Sequence, residues 1–179
     1  MPTAAGKLLG LDVGDSEDGA FWTAFLRSLQ ARGLAGVQLV ISDAHTGLKA
    51  AIAAVMAGPS WQRCRVQFLS NVLARVPRGS AEMVAAAIRT IFAQPTGAEV
   101  VDQVDKVAAM LAPQFPAVAA MLTDAREDLT AFAAFPTAHW AKLWSTNPLE
   151  RVNKRSSAAR TWSGSSLMTP RCCGWPARS

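Results

Sequence analysis

The hydrophobic pattern changes character near Phe68, and that change restricts the possible folds more than any other feature of the chain. Ahead of it, short apolar runs alternate with amphipathic helical patterns; beyond it, only helical periodicity remains. Leu8-Leu9-Gly10-Leu11-Asp12-Val13 reads as a short strand closed by Gly14-Asp15, after which Ser16, Glu17 and Asp18 are placed to open a helix. Phe21, Trp22, Phe25, Leu26 and Leu29 recur at helical spacing, and Arg32-Gly33 supplies a last-turn cation and a C-cap glycine. Val37 to Ser42 is almost continuously apolar, the pattern of a strand covered on both faces, and it ends at Asp43. A second helix is predicted over Gly47 to Ala57, with Gly58-Pro59 as its stop, and the alternation Arg63-Cys64-Arg65-Val66-Gln67-Phe68 predicts a third strand. Strands separated by helices imply an α/β fold. Three helical segments follow, Ala81 to Phe92, Ala98 to Leu111 and Phe115 to Phe132, divided by Pro95-Thr96-Gly97 and by Pro113 and Pro116. Asn147-Pro148 then reads as the N-cap and first position of another helix.

Charge is informative only once it is divided along the chain. The net +5 would ordinarily indicate a polyanionic partner. Arg155, Arg160, Arg171 and Arg178 carry +4 of it without a single acid nearby, so residues 1–154 are nearly neutral. Residues 155–179 also concentrate serine, show no period of 2 or 3.6, and read as a disordered tail. Half of the residues are hydrophobic, which favours a collapsed chain, yet no apolar run approaches the roughly 20 residues of a membrane span. Cys64 stands alone and Cys172-Cys173 are adjacent, which is neither a disulfide framework nor zinc-ligand spacing, so a cytoplasmic setting is expected, with no membrane partner.

Two carboxylates stand where chemistry could be placed. Asp43 follows a buried strand, at the carboxyl edge where open α/β sheets present ligand-binding groups. Local sequence alone favours the alternative, in which it caps the next helix or closes the turn Asp43-Ala44-His45-Thr46-Gly47. Glu150 falls in the first turn of its helix, where complementarity to the helix dipole also accounts for it. Arg151 and Lys154 can contact phosphate or remain solvated. His45 and His139 are isolated and read as local hydrogen-bonding residues, and Trp61, Trp140 and Trp144 as core.

The stretches Val40 to Leu48, Trp61 to Phe68 with Asn71-Val72-Leu73, and Trp144 to Lys154 resemble the mutator-type transposases of bacterial insertion sequences. Leu9 to Glu17 and Trp22 to Val37 are similar too, so the resemblance covers nearly all of residues 8–154. It implies a partial RNase H-like catalytic domain over residues 1–154, with a helical insertion at about 81–135. It also implies three acids that hold two divalent cations, Mg²⁺ or Mn²⁺, with Asp43 matching the second and Glu150 the third. The implied partners are DNA, as element ends and target, and a second copy or an intact transposase.

Three departures qualify that expectation. The family's first aspartate, its first strands and its DNA-binding region have no counterpart here, because Gly10 to Glu17 aligns with the segment after that aspartate. The family's Cys-x-x-His is Cys64-Arg65-Val66-Gln67 in this chain, and glutamine cannot titrate or ligate as imidazole does. The resemblance ends after Lys154; with one base restored, a back-translation continues Glu-Val-Lys-Arg-Arg-Thr-Asp, close to the family, which predicts a frameshifted tail. The expectation is therefore a transposase fragment, by lineage competent in DNA cleavage and strand transfer but inactive as this chain. The alternative is a non-enzymatic helical module that pairs with an intact transposase.

Overall fold

Asp18 opens the first helix, α1 (Gly19–Ala31), by accepting a hydrogen bond from Phe21 N at 2.8 Å. The helix ends in a Schellman arrangement. Gly33, at φ +95°, donates to Gln30 O at 2.9 Å, and Leu34 N donates to Leu29 O at 3.0 Å. A computed structural model describes these features for residues 9–10, 12, 18–56 and 58–144. Strand β1 (Leu39–Ser42) follows, then α2 (Thr46–Val55), then β2 (Ser60–Arg63). The strands pair in parallel, from Leu39 opposite Ser60 to Ser42 opposite Arg63. A parallel pair needs a crossover, and α2 is that crossover.

Helices α1 and α2 lie side by side in the same direction. Gln30 Nε2 donates to Val55 O at 3.0 Å near their C-terminal ends, while Gly19 and Gly47 meet at their N-terminal ends. Leu26, Leu29, Ala51, Ile52 and Met56 are buried between them, with Trp22, Phe25 and Trp61 packed alongside.

Two strand expectations are corrected. Arg63 to Phe68 is not a strand: β2 spans Ser60–Arg63, and α3 (Arg65–Leu73) begins two residues later. Cys64, Phe68 and Val72 are all fully buried, which is the i, i+4, i+8 face of a helix; the alternation that suggested a strand is too short to distinguish the two. Leu9, Gly10 and Asp12, the described residues of the expected Leu8–Val13 strand, are not in a strand. The Leu9 carbonyl accepts from Arg32 Nη2 at 2.7 Å, so the end of α1 satisfies it.

The helical block contains α4 (Ala81–Ile91), α5 (Gly97–Leu111), α6 (Pro116–Asp124), α7 (Arg126–Thr130) and α8 (Thr137–Leu143). The helix expected over Phe115 to Phe132 is divided at Ala125, and a 3-10 turn (Ala131–Ala134) follows α7. A continuing α-helix would direct Phe132 N to Asp128 O. Instead it donates to the side chain of Gln62 at 2.8 Å. Val84, Ile88, Val100, Val104, Leu122, Leu129, Phe132 and Trp140 form a second core, continuous with Phe68 and Val72 of α3. The result is α/β in class, mostly helical, with two parallel strands among the described residues.

Candidate active site at the carboxyl edge

Parallel strands end on one side, so Ser42-Asp43 and Arg63-Cys64 leave the sheet together. The Ser42 side chain is buried and works in both directions: it accepts from Trp61 Nε1 at 2.8 Å and donates to Asp43 O at 2.8 Å. Cys64 N continues the ladder by donating to Ser42 O at 2.7 Å. The peptide carrying Asp43 is thus held from its own strand and from the neighbouring one.

The Asp43 side chain itself is exposed. It does not cap α2. His45 is the N-cap, and its Nδ1 accepts from Leu48 N at 3.3 Å, so the imidazole performs the local role that the sequence left open for Asp43. Among the described residues, no hydrogen bond or ion pair engages the Asp43 carboxylate. It is a hard oxygen donor next to a strand end, the chemistry a divalent cation requires. It is also one donor only: among the described residues, no three His, Cys, Asp or Glu side chains are grouped to hold a metal.

Cys64 is fully buried at the N-cap of α3, and Gln67 is exposed in the first turn of that helix. His139 is exposed on α8. Trp140 is buried, with its Nε1 donating to Phe135 O at 2.7 Å, while Trp61 and Trp144 pack against the first and second cores. The placements of the three tryptophans agree with the core roles expected from sequence.

Cations surround the edge through packed rather than free side chains. Lys49 Nζ lies 2.8 Å from Asp128 Oδ2 and 4.3 Å from the centre of the Trp61 ring, tying α2 to α7. The Arg63 guanidinium sits 4.9 Å over Phe68; burial lowers its pKa and Asp128 acts in the opposite direction. Arg65 lies 4.2 Å over Trp144, burial lowers its pKa as well, and its backbone N donates to Trp144 O at 2.9 Å. Ser42, Trp61 and Arg65 were not singled out from sequence for this edge. A polar residue closing an apolar strand is the one signal that could have marked Ser42. Glu150, Arg151, Lys154 and Asn147, with Asp15 and Glu17, lie outside the described residues.

Residues 4–163 match the family described as "Transposase, Mutator family", so the match continues past Lys154, where the sequence reading ended it. The chain is 48% identical over 148 residues to the transposase for insertion sequence element IS1081 of Mycobacterium tuberculosis, covering 83% of this chain and 36% of that protein. It is 40% identical over 174 residues to the IS406 transposase of Burkholderia multivorans, covering 95% of this chain and 44% of the relative. The transposase for IS256 in transposon Tn4001 of Staphylococcus aureus is 32% identical over 156 residues, 83% of this chain and 38% of its own length. The chain therefore spans less than half the length of each of these relatives. With its pattern of parallel strands and helices and a match that runs through almost all of its length, this chain belongs to the Mutator family of insertion-sequence transposases.

Proposed function

We propose that this chain supplies two of the three metal-binding carboxylates of an RNase H-like transposase site, Asp43 and Glu150, and that its helical block is the insertion between them. The observation that carries this reading is the state of Asp43. Its carboxylate is exposed at the carboxyl edge and uncommitted among the described residues, while His45 caps the following helix. Trp144 is tied to the start of α3 by the Arg65 N to Trp144 O bond, next to Cys64. A pair of Mg²⁺ or Mn²⁺ ions would activate the attacking oxygen and stabilise the leaving oxygen of a phosphodiester. The chain's own part is to hold the Asp43 peptide through Ser42 and Cys64 N. Arg151 and Lys154 would pair with DNA phosphate at the element end or target.

Mn²⁺ binding to the chain, followed by the loss of the free-ion electron paramagnetic resonance signal, tests the assignment. Asp43→Asn and Glu150→Gln should each abolish the bound fraction, with circular dichroism unchanged. Binding equal to wild type in both variants would show that these acids are not ligands.

A second reading has one observation in its favour. Met83 on α4 and Met110 on α5 are 48% and 58% exposed beside Ala86 and Ala87, a surface suited to packing against another helix. In that reading the helical block pairs with an intact transposase or with a second copy. Inhibition of an intact transposase by the chain, with Mn²⁺ binding indifferent to Asp43→Asn, would favour it.

A further inference from the structure

Charge is segregated along the body of the chain in a way that its near-zero sum conceals. Residues 44–81 contain five cations and no Asp or Glu, whereas residues 82–128 contain seven acids and three cations. Three of the five cations are engaged: Lys49 with Asp128 and Trp61, Arg63 over Phe68, and Arg65 over Trp144. Arg75 and Arg78 remain. Both are exposed, and among the described residues no carboxylate pairs with either. Glu82, the acid nearest to them along the chain, is committed to Arg89 at 2.9 Å.

Helix α3 arranges these two arginines in a stripe. Cys64, Phe68 and Val72 turn to the core at every fourth position, which leaves Gln67, Ser70, Asn71 and Arg75 exposed. Arg78 follows in the 3-10 turn Arg78–Ser80. From Gln67 to Arg75 the helical rise is about 12 Å. Arg75 complements the dipole at the end of α3, but Arg78 lies outside that helix and has no such role. Hydroxyl, amide and guanidinium donors with no acid among them suit the acceptor oxygens of phosphate, which take most contacts of this kind in DNA complexes. Duplex DNA offers phosphates most densely, one charge per roughly 1.7 Å of axis. A lone strand would need aromatic platforms, and an anionic membrane would need apolar side chains to insert. Neither is present: Leu9, Met83 and Met110, the exposed large hydrophobics among the described residues, do not lie on the stripe.

We propose that the exposed face of α3, continued by Arg78, is a sequence-independent docking surface for the phosphate backbone of duplex DNA, with Arg75 and Arg78 as its charged contacts. α3 starts one residue after Cys64, whose N–H is bonded to Ser42 O beside Asp43, so the stripe begins at the carboxyl edge. The inference rests on the proposed function for DNA as the partner; it needs neither metal nor cleavage.

Fluorescence anisotropy of the full chain with a labelled duplex of about 20 base pairs, measured across a salt series, tests it. Arg75→Gln and Arg78→Gln should each weaken binding and lower the slope of log affinity against log salt by about one, and together by about two. Arg75→Lys and Arg78→Lys keep the charge and should keep the slope. Ser70→Glu puts an anion on the stripe and should weaken duplex binding without removing a cation. Arg27→Gln removes an exposed cation of α1 and should leave the slope unchanged. Two duplexes of unrelated sequence should bind equally. Asp43→Asn should bind duplex like wild type, and the double arginine variant should bind Mn²⁺ like wild type, so failure of the metal assignment and failure of this one are separable. The proposal is overturned by an unchanged slope in the double variant or by an equal change in Arg27→Gln. Loss of binding to phosphatidylserine vesicles, or of self-association, with duplex binding intact would overturn it as well.

Discussion

Gln62 is the polar side chain most deeply committed to the structure. It is 0% exposed, its Nε2 donates to Arg63 O at 2.9 Å and Leu129 O at 3.0 Å, and its Oε1 accepts from Phe132 N at 2.8 Å. One amide therefore satisfies both a donor and an acceptor of the turn between α7 and the 3-10 segment. Gln62→Ala leaves the Phe132 N–H and the Leu129 carbonyl buried and unpaired, and should destabilise the fold by about 2–4 kcal/mol in urea unfolding. Gln62→Glu tests the same contact by sign. A carboxylate facing two carbonyls is desolvated and repelled, so its folded pKa rises above the unfolded value near about 4.3. Its stability should be greatest below that value and fall as pH rises through the folded pKa. None of this could be read in the sequence, where Gln62 stands just ahead of the expected Arg63 to Phe68 strand and carries no local signal. Its partners lie 67 and 70 residues away. Asp43 was legible as a strand-end carboxylate, but which of Asp43 and His45 caps α2 was not, since both residue types can accept from a helix N-terminus.

Elements were legible where their boundaries are local. Asp18, Gly33 and Thr96 mark helix ends with side chains or backbone freedom that belong to the chain around them, and α1, α2, α4 and α5 fall within a few residues of expectation. α3 and the division at Ala125 were not, because each is decided by what the segment packs against. The side-by-side placement of α1 and α2 is likewise tertiary, and it turns on Gly47. A Cβ there would stand 3.0 Å from Gly19 N and 3.3 Å from Gly19 Cα, both backbone atoms that cannot swing aside. Gly47→Ala gains about 1 kcal/mol in helix propensity but should lose more to overpacking, with a net destabilisation of about 1–2 kcal/mol. Gly79→Ala, which meets nothing within 4 Å, is the control and should be neutral or better. A Gly47→Ala variant as stable as Gly79→Ala would mean that the two helices separate at no cost.

At the scale of the molecule, the described residues form two cores of unequal size. The one between α1 and α2 rests on five buried side chains, whereas the one beneath α3 to α8 draws on every helix of the block. The ion pair Lys49–Asp128 that spans them has side chains 50% and 30% exposed and adds at most about 1 kcal/mol, so Gln62 is the firmer tie. Backbone amides of α1 and α2 should therefore exchange with deuterium faster than those of α4 and α5, through an opening smaller than global unfolding. Uniform protection measured by mass spectrometry would indicate one cooperative unit instead. The Arg65 N to Trp144 O bond has a different implication. It pins together the two ends of a long excursion, so the helical block leaves the strand end and returns to it at a single point. Lengthening such an excursion is cheap, about 0.6 kcal/mol for a doubling of a flexible loop. Extra residues in the exposed connections between these helices can therefore be accommodated without moving the strand end that carries Asp43.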